Sequence, residues 1–515
     1  MDERTMVGQH LFTGFEGVDI PADFARHIRD SMIGNVILFS RNVKDAEGLF
    51  RLCEKLQELV MDATGYKAFI ALDQEGGSVS RLPAECAVPP GAMGIAATGR
   101  PRNAYAAGLI TGTELSALGV NLNLAPVADV NSNRDNPVIG TRSFGDKPDE
   151  AACYAVEMMR GLMAGGVLAC AKHFPGHGDT AVDSHLGLPL VEKTLNELRE
   201  TELLPFLALI RAGVPAVMSS HILFPQLDGG RMPATMSGKI MTGLLKEGMG
   251  FTGLVLSDCM MMGAVSGHFG TVNGAVAALK AGVDLVLISH DAALAASAAK
   301  QAREGLRAGT LCREEMEKST EKILQYKAGL CLPPAFDPGF VGSRAHRAKV
   351  NRMYEESLTG VNLGPVGLPP LGPNPLFIGC ASFQASQAAD PDFGGIPFHL
   401  GLKMEMGGEA LSMGENPGDE DIAGIIAQAP VHTSLVLCTA NAHRNLRQLT
   451  LLRALSNLGL PLIVLALHSP YDLADLPDGV SGVAVYTDTA GALSAVIRLL
   501  RGEIRALGRL PVKLS

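Results

Sequence analysis

"VLACAKHFPGHGDTAVDSH", residues 167–185, changes character halfway along. Its first part is a short apolar run that reads as a strand buried on both faces. From Lys172 onward it holds a lysine, three histidines (His173, His177, His185), two aspartates (Asp179, Asp183) and two glycines, with almost nothing apolar. That part fits neither the period of a helix nor that of a strand. A buried strand thus delivers concentrated titratable chemistry at its C-terminal end.

The same arrangement recurs along the chain. Runs at "HLFTGF" (10–15), "NVILFS" (35–40), "AFIALD" (68–73), "VNLNLAP" (120–126), "AVMSSH" (216–221), "LVLSD" (254–258) and "DLVLIS" (284–289) join the first to make eight. Segments of helical periodicity separate them, such as "AEGLFRLCEKLQELVMDA" (46–63) and "PDEAACYAVEMMRGLMAGG" (148–166), the second closed by a glycine stop. Eight near-continuous apolar strands alternating with helices predict a parallel α/β fold, a TIM-type (β/α)8 barrel. Asp73 closes the third strand, Lys172 and His173 the fifth, His221 the sixth and Asp258 the seventh. They fall on the rim where such barrels build their sites.

A helical stretch, "EEMEKSTEKILQYKAGL" (314–330), ends this region. "LPPAFDPGFVGSRAH" (332–346) and "LGPVGLPPLGPNP" (363–375) follow, rich in proline and glycine. New apolar strands then appear at "PLFIGC", "TSLVLCTA", "PLIVLALH" and "GVAVYTD", with helical segments between them. The expected organisation is a barrel over 1–335, a Pro/Gly-rich linker over 336–370, and a smaller α/β sandwich domain over 371–515. The last carries no GxGxxG or P-loop in a strand-to-helix context.

The 515 residues are 47% hydrophobic and 19% charged, with a formal net charge of −10. Such a chain builds large cores and lacks the basic face of a nucleic-acid binder. No apolar run reaches the ~18 residues of a membrane span. The start, "MDERTMVGQHLFTGFEG", has no basic region followed by an apolar core. Nine cysteines, an odd number without CxxC pairs, suit a reducing cytoplasm rather than a disulfide framework or zinc site. The expectation is a cytoplasmic protein without membrane or nucleic-acid partner, of undetermined oligomeric state.

Three chemistries suit the polar rim. His173, His177, Asp179, Asp183 and His185 are ligand types for zinc or iron, but Gly176 and Gly178 flank His177 and no HExxH spacing exists. A rim of carboxylates, lysine and histidine can also hold a polyol without reacting. Glycoside transfer needs a carboxylate on one side of the anomeric carbon and a proton donor on the other. Asp258 at a strand end fits the nucleophile, with Ser257 and backbone amides to keep it ionised. Asp183 and His185, two apart in a glycine-flanked loop, can point to one side, the carboxylate fixing the imidazole tautomer. Near neutrality such a histidine both donates and accepts protons.

The stretches "ALDQEGGSVSRL" (71–82), "NLNLAPVADV" (121–130), "IGTRSFGD" (139–146), "AKHFPGHGDTAVDSHLGLP" (171–189) and "VLSDCMMMGAV" (255–265) together resemble glycoside hydrolase family 3. Within it they are similar to the β-N-acetylglucosaminidases of NagZ type. The resemblance spans most of residues 10–330, and "LALHSPYDL" (465–473) with "YTDTAGALSAVIRLLRGEIRALGRLPVKLS" (486–515) also looks family-like. It implies Asp258 as nucleophile, His185 as acid/base and Asp183 as its partner. It further implies that Asp73, Arg142, Lys172 and His173, with Arg81 nearby, hold the hydroxyls of a terminal sugar. Arg142 and the Asp73–Lys172 pair are the donors and acceptors a polyol needs.

The function so implied is a retaining β-N-acetylglucosaminidase acting on short glycans or muropeptide fragments, with a small carbohydrate as its partner and neither metal nor cofactor. A phosphorylase of the same family, another family 3 β-glycosidase, a metal-dependent hydrolase and a non-catalytic sugar-binding protein are the rivals. The chain has no tryptophan. Any sugar platform must then be Tyr, Phe, His or the Met260–Met262 run, which reads more readily as packing under the barrel mouth.

Overall fold

A computed structural model describes residues 1–180, 187–230, 232–365, 367–382 and 395–514. Eight parallel strands close into a barrel in sequence order. They are β1 (Leu11–Thr13), β2 (Asn35–Ile37), β3 (Phe69–Leu72), β4 (Leu122–Asn123), β5 (Leu168–Phe174), β6 (Ala216–Ser219), β7 (Leu254–Cys259) and β8 (Leu285–Ile288). Seven fall inside one of the eight apolar runs and β7 passes the end of its run by one residue, Cys259, while β1 pairs with β8 to complete the ring.

Strand β4 is only two residues long because two asparagines take over its ladder. Asn121 accepts from Ile70 N at 2.9 Å and donates to Ala68 O at 3.0 Å. Asn123 repeats the pattern with Gln74 N and O. An amide side chain copies a peptide's donor and acceptor, so β3 stays satisfied where β4 stops.

The helices follow their sequence signals. Ala46–Thr64 starts on Asp45, whose carboxylate accepts from Gly48 N, and ends at Gly65 in the left-handed region. Pro101–Ala117 and Pro148–Ala164 both carry proline in the first turn. These two pack closely through glycine: a Cβ at Gly161 would lie 2.1 Å from Tyr105 O.

The second unit is a six-stranded sheet in the order β11-β10-β12-β13-β14-β9. Its strands are β9 (Thr359–Val361), β10 (Pro375–Cys380), β11 (Glu409–Met413), β12 (Ser434–Thr439), β13 (Leu462–Ala466) and β14 (Ser481–Ala484). All pairs are parallel except β9 with β14. Leu435 and Leu437 of β12 enter one core while Val436 and Cys438 enter another, so both faces are covered.

The segment 336–370, expected as a linker, is more structured than its proline and glycine suggest. It holds the helix Arg344–Ser357 and strand β9, an edge of the second sheet. Val350, Met353, Tyr354 and Ser357 bury one face of that helix at spacings of three and four. The two units also share apolar contacts. Met93 and Ala97 of the barrel chain join one core of the second unit, and Ala87 and Ile110 the other. Among the described residues no helix is long and apolar enough to cross a membrane.

Candidate active site

Two strands of the barrel lose register where they reach the mouth. The β5–β6 pairing shifts between Ala171 and Phe174, and the β7–β8 pairing between Leu256 and Cys259. Lys172 and His173 lie in the first irregularity, Ser257 and Asp258 in the second. Such bulges re-aim side chains next to active sites.

Lys172 is buried, and its Nζ lies 2.7 Å from Asp73 Oδ1 and 2.6 Å from Glu75 Oε1. Arg142 donates to both oxygens of Glu75, Nε at 2.9 Å and a terminal nitrogen at 2.8 Å. That same nitrogen is 3.5 Å from His173 Nε2. On its other side His173 Nδ1 is 2.7 Å from Asp129 Oδ2. Asp129 also accepts from the backbone amides of His173 and His177, the latter at 2.7 Å. The chain Asp73–Lys172–Glu75–Arg142–His173–Asp129 therefore runs continuously along the ends of β3, β4 and β5.

Its electrostatics follow from burial and pairing. Burial pushes the Glu75 carboxyl up, but Arg142 and Lys172 outweigh it and hold the group well below the usual carboxylate range. Asp129 is lowered in the same way, burial being overcome by His173 and then His177. Burial lowers Lys172, yet Asp73 and Glu75 leave it raised overall. His177 is different: burial and the neighbouring His173 push it down to about 4. Its Nδ1 is 2.9 Å from Thr180 Oγ1.

The turn after β3 brings Glu75 inward. Gly76 has φ of 93°, and a Cβ there would lie 2.8 Å from Pro90 O, so only glycine fits. Gln74 Oε1 accepts from Ser80 Oγ, Arg81 N and Leu82 N, pinning the rest of the loop. Arg81 is buried beneath it.

Asp258 sits half-buried at the end of β7 and accepts from Cys259 N at 2.7 Å. The expected help from Ser257 is not what the geometry gives, since Ser257 Oγ accepts from Leu287 N of β8 at 2.9 Å. The hydroxyl points into the ladder because it lies in the gap left by the register shift. Asp73 follows β3 and Asp258 lies near the end of β7, two strands that stand opposite each other in the ring, so both carboxylates belong to one mouth. His221 closes β6 on Thr235 Oγ1 and Cys259 O, at 3.0 Å each.

Of the residues expected from the sequence, Asp73, Arg142, Lys172 and His173 are brought together. Arg81 lies in the adjoining loop and Asp258 on the opposite strand. Asp183 and His185 lie outside the described residues. Glu75 and Asp129 were not singled out from the sequence. Both are carboxylates within a few residues of a strand end, a signal that could have found them. Met260 is fully buried in the barrel core. Among the described residues no group of three or more His, Cys, Asp or Glu is placed to hold a metal ion. Asp179 instead pairs with Lys193 at 3.1 Å.

The family description "Glycosyl hydrolase family 3 N terminal domain" matches residues 7–326. The chain belongs to glycoside hydrolase family 3. It is 35% identical over 333 residues to "Beta-hexosaminidase A" of Pseudoalteromonas piscicida, covering 60% of this chain and 56% of that protein. It therefore spans little more than half of that relative's length. It is 34% identical over 291 residues to "Beta-hexosaminidase" of Thiobacillus denitrificans, covering 55% and 79% respectively. Among solved structures, a family 3 β-N-acetylglucosaminidase from Paenibacillus sp. str. FPU-7 superposes with a TM-score of 0.92 at 32% identity. That likeness covers 100% of this chain and 99% of the other, so this chain shares both units with it. A β-glucoside phosphorylase at 23% identity and a TM-score of 0.81 shares the fold.

Proposed function

We propose that this chain is a retaining β-N-acetylglucosaminidase that removes terminal, non-reducing β-linked N-acetylglucosamine from short glycans, muropeptide fragments among them. The observation that carries the reading is the buried ion chain from Asp73 to Asp129, which faces Asp258 across the mouth. Asp73, Lys172, Arg142 and His173 offer alternating acceptors and donors to the hydroxyls of one pyranose, with Arg81 supporting from the next loop. Asp129 accepts a hydrogen bond from His173 Nδ1, which fixes the tautomer and turns Nε2 towards Arg142.

In the first step Asp258 attacks the anomeric carbon while His185 protonates the departing oxygen. This gives an α-linked glycosyl–aspartate. In the second step His185 takes a proton from water, which attacks the same carbon and restores the β configuration. Asp183 orients the imidazole throughout. The names of the hexosaminidase relatives and of the Paenibacillus structure support the choice of sugar. All nine cysteines are free thiols, which supports action in a reducing compartment such as the cytoplasm.

A panel of nitrophenyl β-glycosides, run with and without phosphate, tests this. The expected result is a strong preference for the N-acetylglucosaminide, with free β-configured sugar released at a rate independent of phosphate. Release of a sugar phosphate would replace the hydrolase by a phosphorylase. No turnover of any member would reduce the protein to a binder.

A further inference from the structure

The β6–β7 register runs from Ala216 opposite Leu254 to Met218 opposite Leu256. Asp258 lies two residues further on, inside the stretch where the β7–β8 register shifts as well. The regular ladder is thus interrupted on both sides at the point where the nucleophile must be aimed. That Asp258 is the nucleophile rests on the proposed function.

Side chains take over the ladder here, as the asparagines do at β4. On the β8 side, Ser257 Oγ accepts from Leu287 N at 2.9 Å, and Met260 N donates to Leu287 O at 2.8 Å. On the β6 side the connection is His221, which is 1% exposed. Its Nε2 is 3.0 Å from Cys259 O, an oxygen that can only accept, so Nε2 carries the proton and donates. Its Nδ1 is 3.0 Å from Thr235 Oγ1. Thr235 is fully buried and is tied in turn to Ser219 Oγ and Ser220 O, both at 2.8 Å. The imidazole is therefore a strut with its foot on β6 and its head on the residue after Asp258. Cys259 passes the constraint on. Its N–H donates to Asp258 Oδ1 at 2.7 Å, while its C=O accepts from His221 and, across a tight turn, from Met262 N at 3.1 Å.

We infer that His221 is a positioning residue for the nucleophile: through Cys259 O it fixes the turn whose N–H aims the Asp258 carboxylate at the anomeric carbon. Met262 closes that turn upon itself, and His221 ties it to the neighbouring strand. The histidine acts through the backbone, so its loss should slow attack without weakening the hold on the sugar.

Two substitutions separate the two ends of the strut. His221→Gln places an amide N–H near the Nε2 position and keeps the bond to Cys259 O, whereas the shorter His221→Asn reaches only Thr235. Three quantities are measured on each full-length variant. They are kcat/KM across aryl β-N-acetylglucosaminides of differing leaving group, the rate of labelling by a fluorosugar that traps the glycosyl-enzyme, and the affinity for N-acetylglucosamine. The final label per chain counts competent sites, so partial loss of folded protein does not enter the rates. A misplacement of the nucleophile by about 1 Å should cost His221→Asn roughly 10²-fold in labelling rate and in kcat/KM. The loss should be the same for good and poor leaving groups, with N-acetylglucosamine bound as in the wild type, and His221→Gln should recover most of the rate. Undiminished rates in His221→Asn, equal losses in both variants, or a loss matched by weaker sugar binding overturns the inference and leaves the proposed function standing. Failure of the wild type to take label on Asp258 overturns both.

Discussion

The barrel carries a buried charge cluster at each end, and the two are built differently. At the floor, Asp284 precedes β8 and accepts from Val255 N at 2.8 Å, while Lys322 bridges it to Gly253 O. His10 Nδ1 donates to Asp284 O at 2.7 Å and its Nε2 lies 2.8 Å from Thr320 Oγ1, while Lys327 binds Gln9 and Gly34 O. Nearly every ion there ties down backbone at the start of a strand. At the mouth, Lys172, Glu75, Arg142 and Asp73 satisfy one another through side chains, and Asp73 keeps 22% of its side chain exposed. Charges spent on backbone hold the fold. Charges paired with each other, at an open rim, are available to a polyol.

The contrast breaks if a mouth variant behaves like a floor variant. The largest effect is expected for His185→Ala, with losses of ~10²–10⁴-fold on substrates with poor leaving groups and much smaller losses on activated aryl glycosides. Asp183→Ala should follow the same pattern more mildly. Steady-state rates across a leaving-group series check this, and azide should restore turnover of the activated substrates in His185→Ala.

The floor should respond in stability instead. Asp284→Ala leaves Lys322 and Lys246 without their partner, and breaking a buried pair costs about 3–5 kcal/mol. Thermal unfolding should move down by several degrees, with kcat/KM per folded molecule unchanged. A fragment ending at residue 335 should also be destabilised, because it uncovers Met93, Ala97 and Ile110.

Asp129→Asn sharpens the comparison from the mouth. It removes a charge-assisted hydrogen bond worth about 1.5–3 kcal/mol, and lets His173 lose its fixed tautomer. We expect a rise in KM of roughly 10- to 150-fold and an altered pH profile, with most of the stability retained. A pure stability loss would move Asp129 to the structural class.

The smallest effect is a pH dependence common to both ends. Burial lowers His10 and His177 to about 4, so each stays neutral in the folded protein while its unfolded counterpart protonates near 6.5. The unfolded state then binds more protons between about 4 and 6.5, and stability rises with pH across that window. Equivalently, it is lost as pH falls below about 6.5. Denaturant midpoints from pH 7.5 to 4.5 should decline, less steeply in His10→Gln, which removes one of the two groups.

Much of the barrel was legible because its signals are local. Strand runs, glycine stops and polar strand ends each state their own case, and they placed Asp73, Lys172, His173 and Asp258 on one rim. Glu75 and Asp129 were harder. Glu75 depends on a turn at Gly76, and Asp129 follows a strand that asparagine side chains cut to two residues. The helix Arg344–Ser357 was hidden by the proline-rich stretches on either side, although Val350, Met353, Tyr354 and Ser357 carry its period. The strand order of the second sheet, and its seam with the barrel, depend on long-range packing that no local pattern encodes.

The central claim is that Asp258 forms the covalent intermediate opposite the β3–β5 cluster. Incubation with a 2-fluoro N-acetylglucosamine-type glycoside bearing a good leaving group, followed by peptide mapping, tests it most directly. The account predicts one sugar per chain, attached to the peptide containing Asp258, and β-configured product in turnover. Label on another residue, or product of inverted configuration, would contradict it.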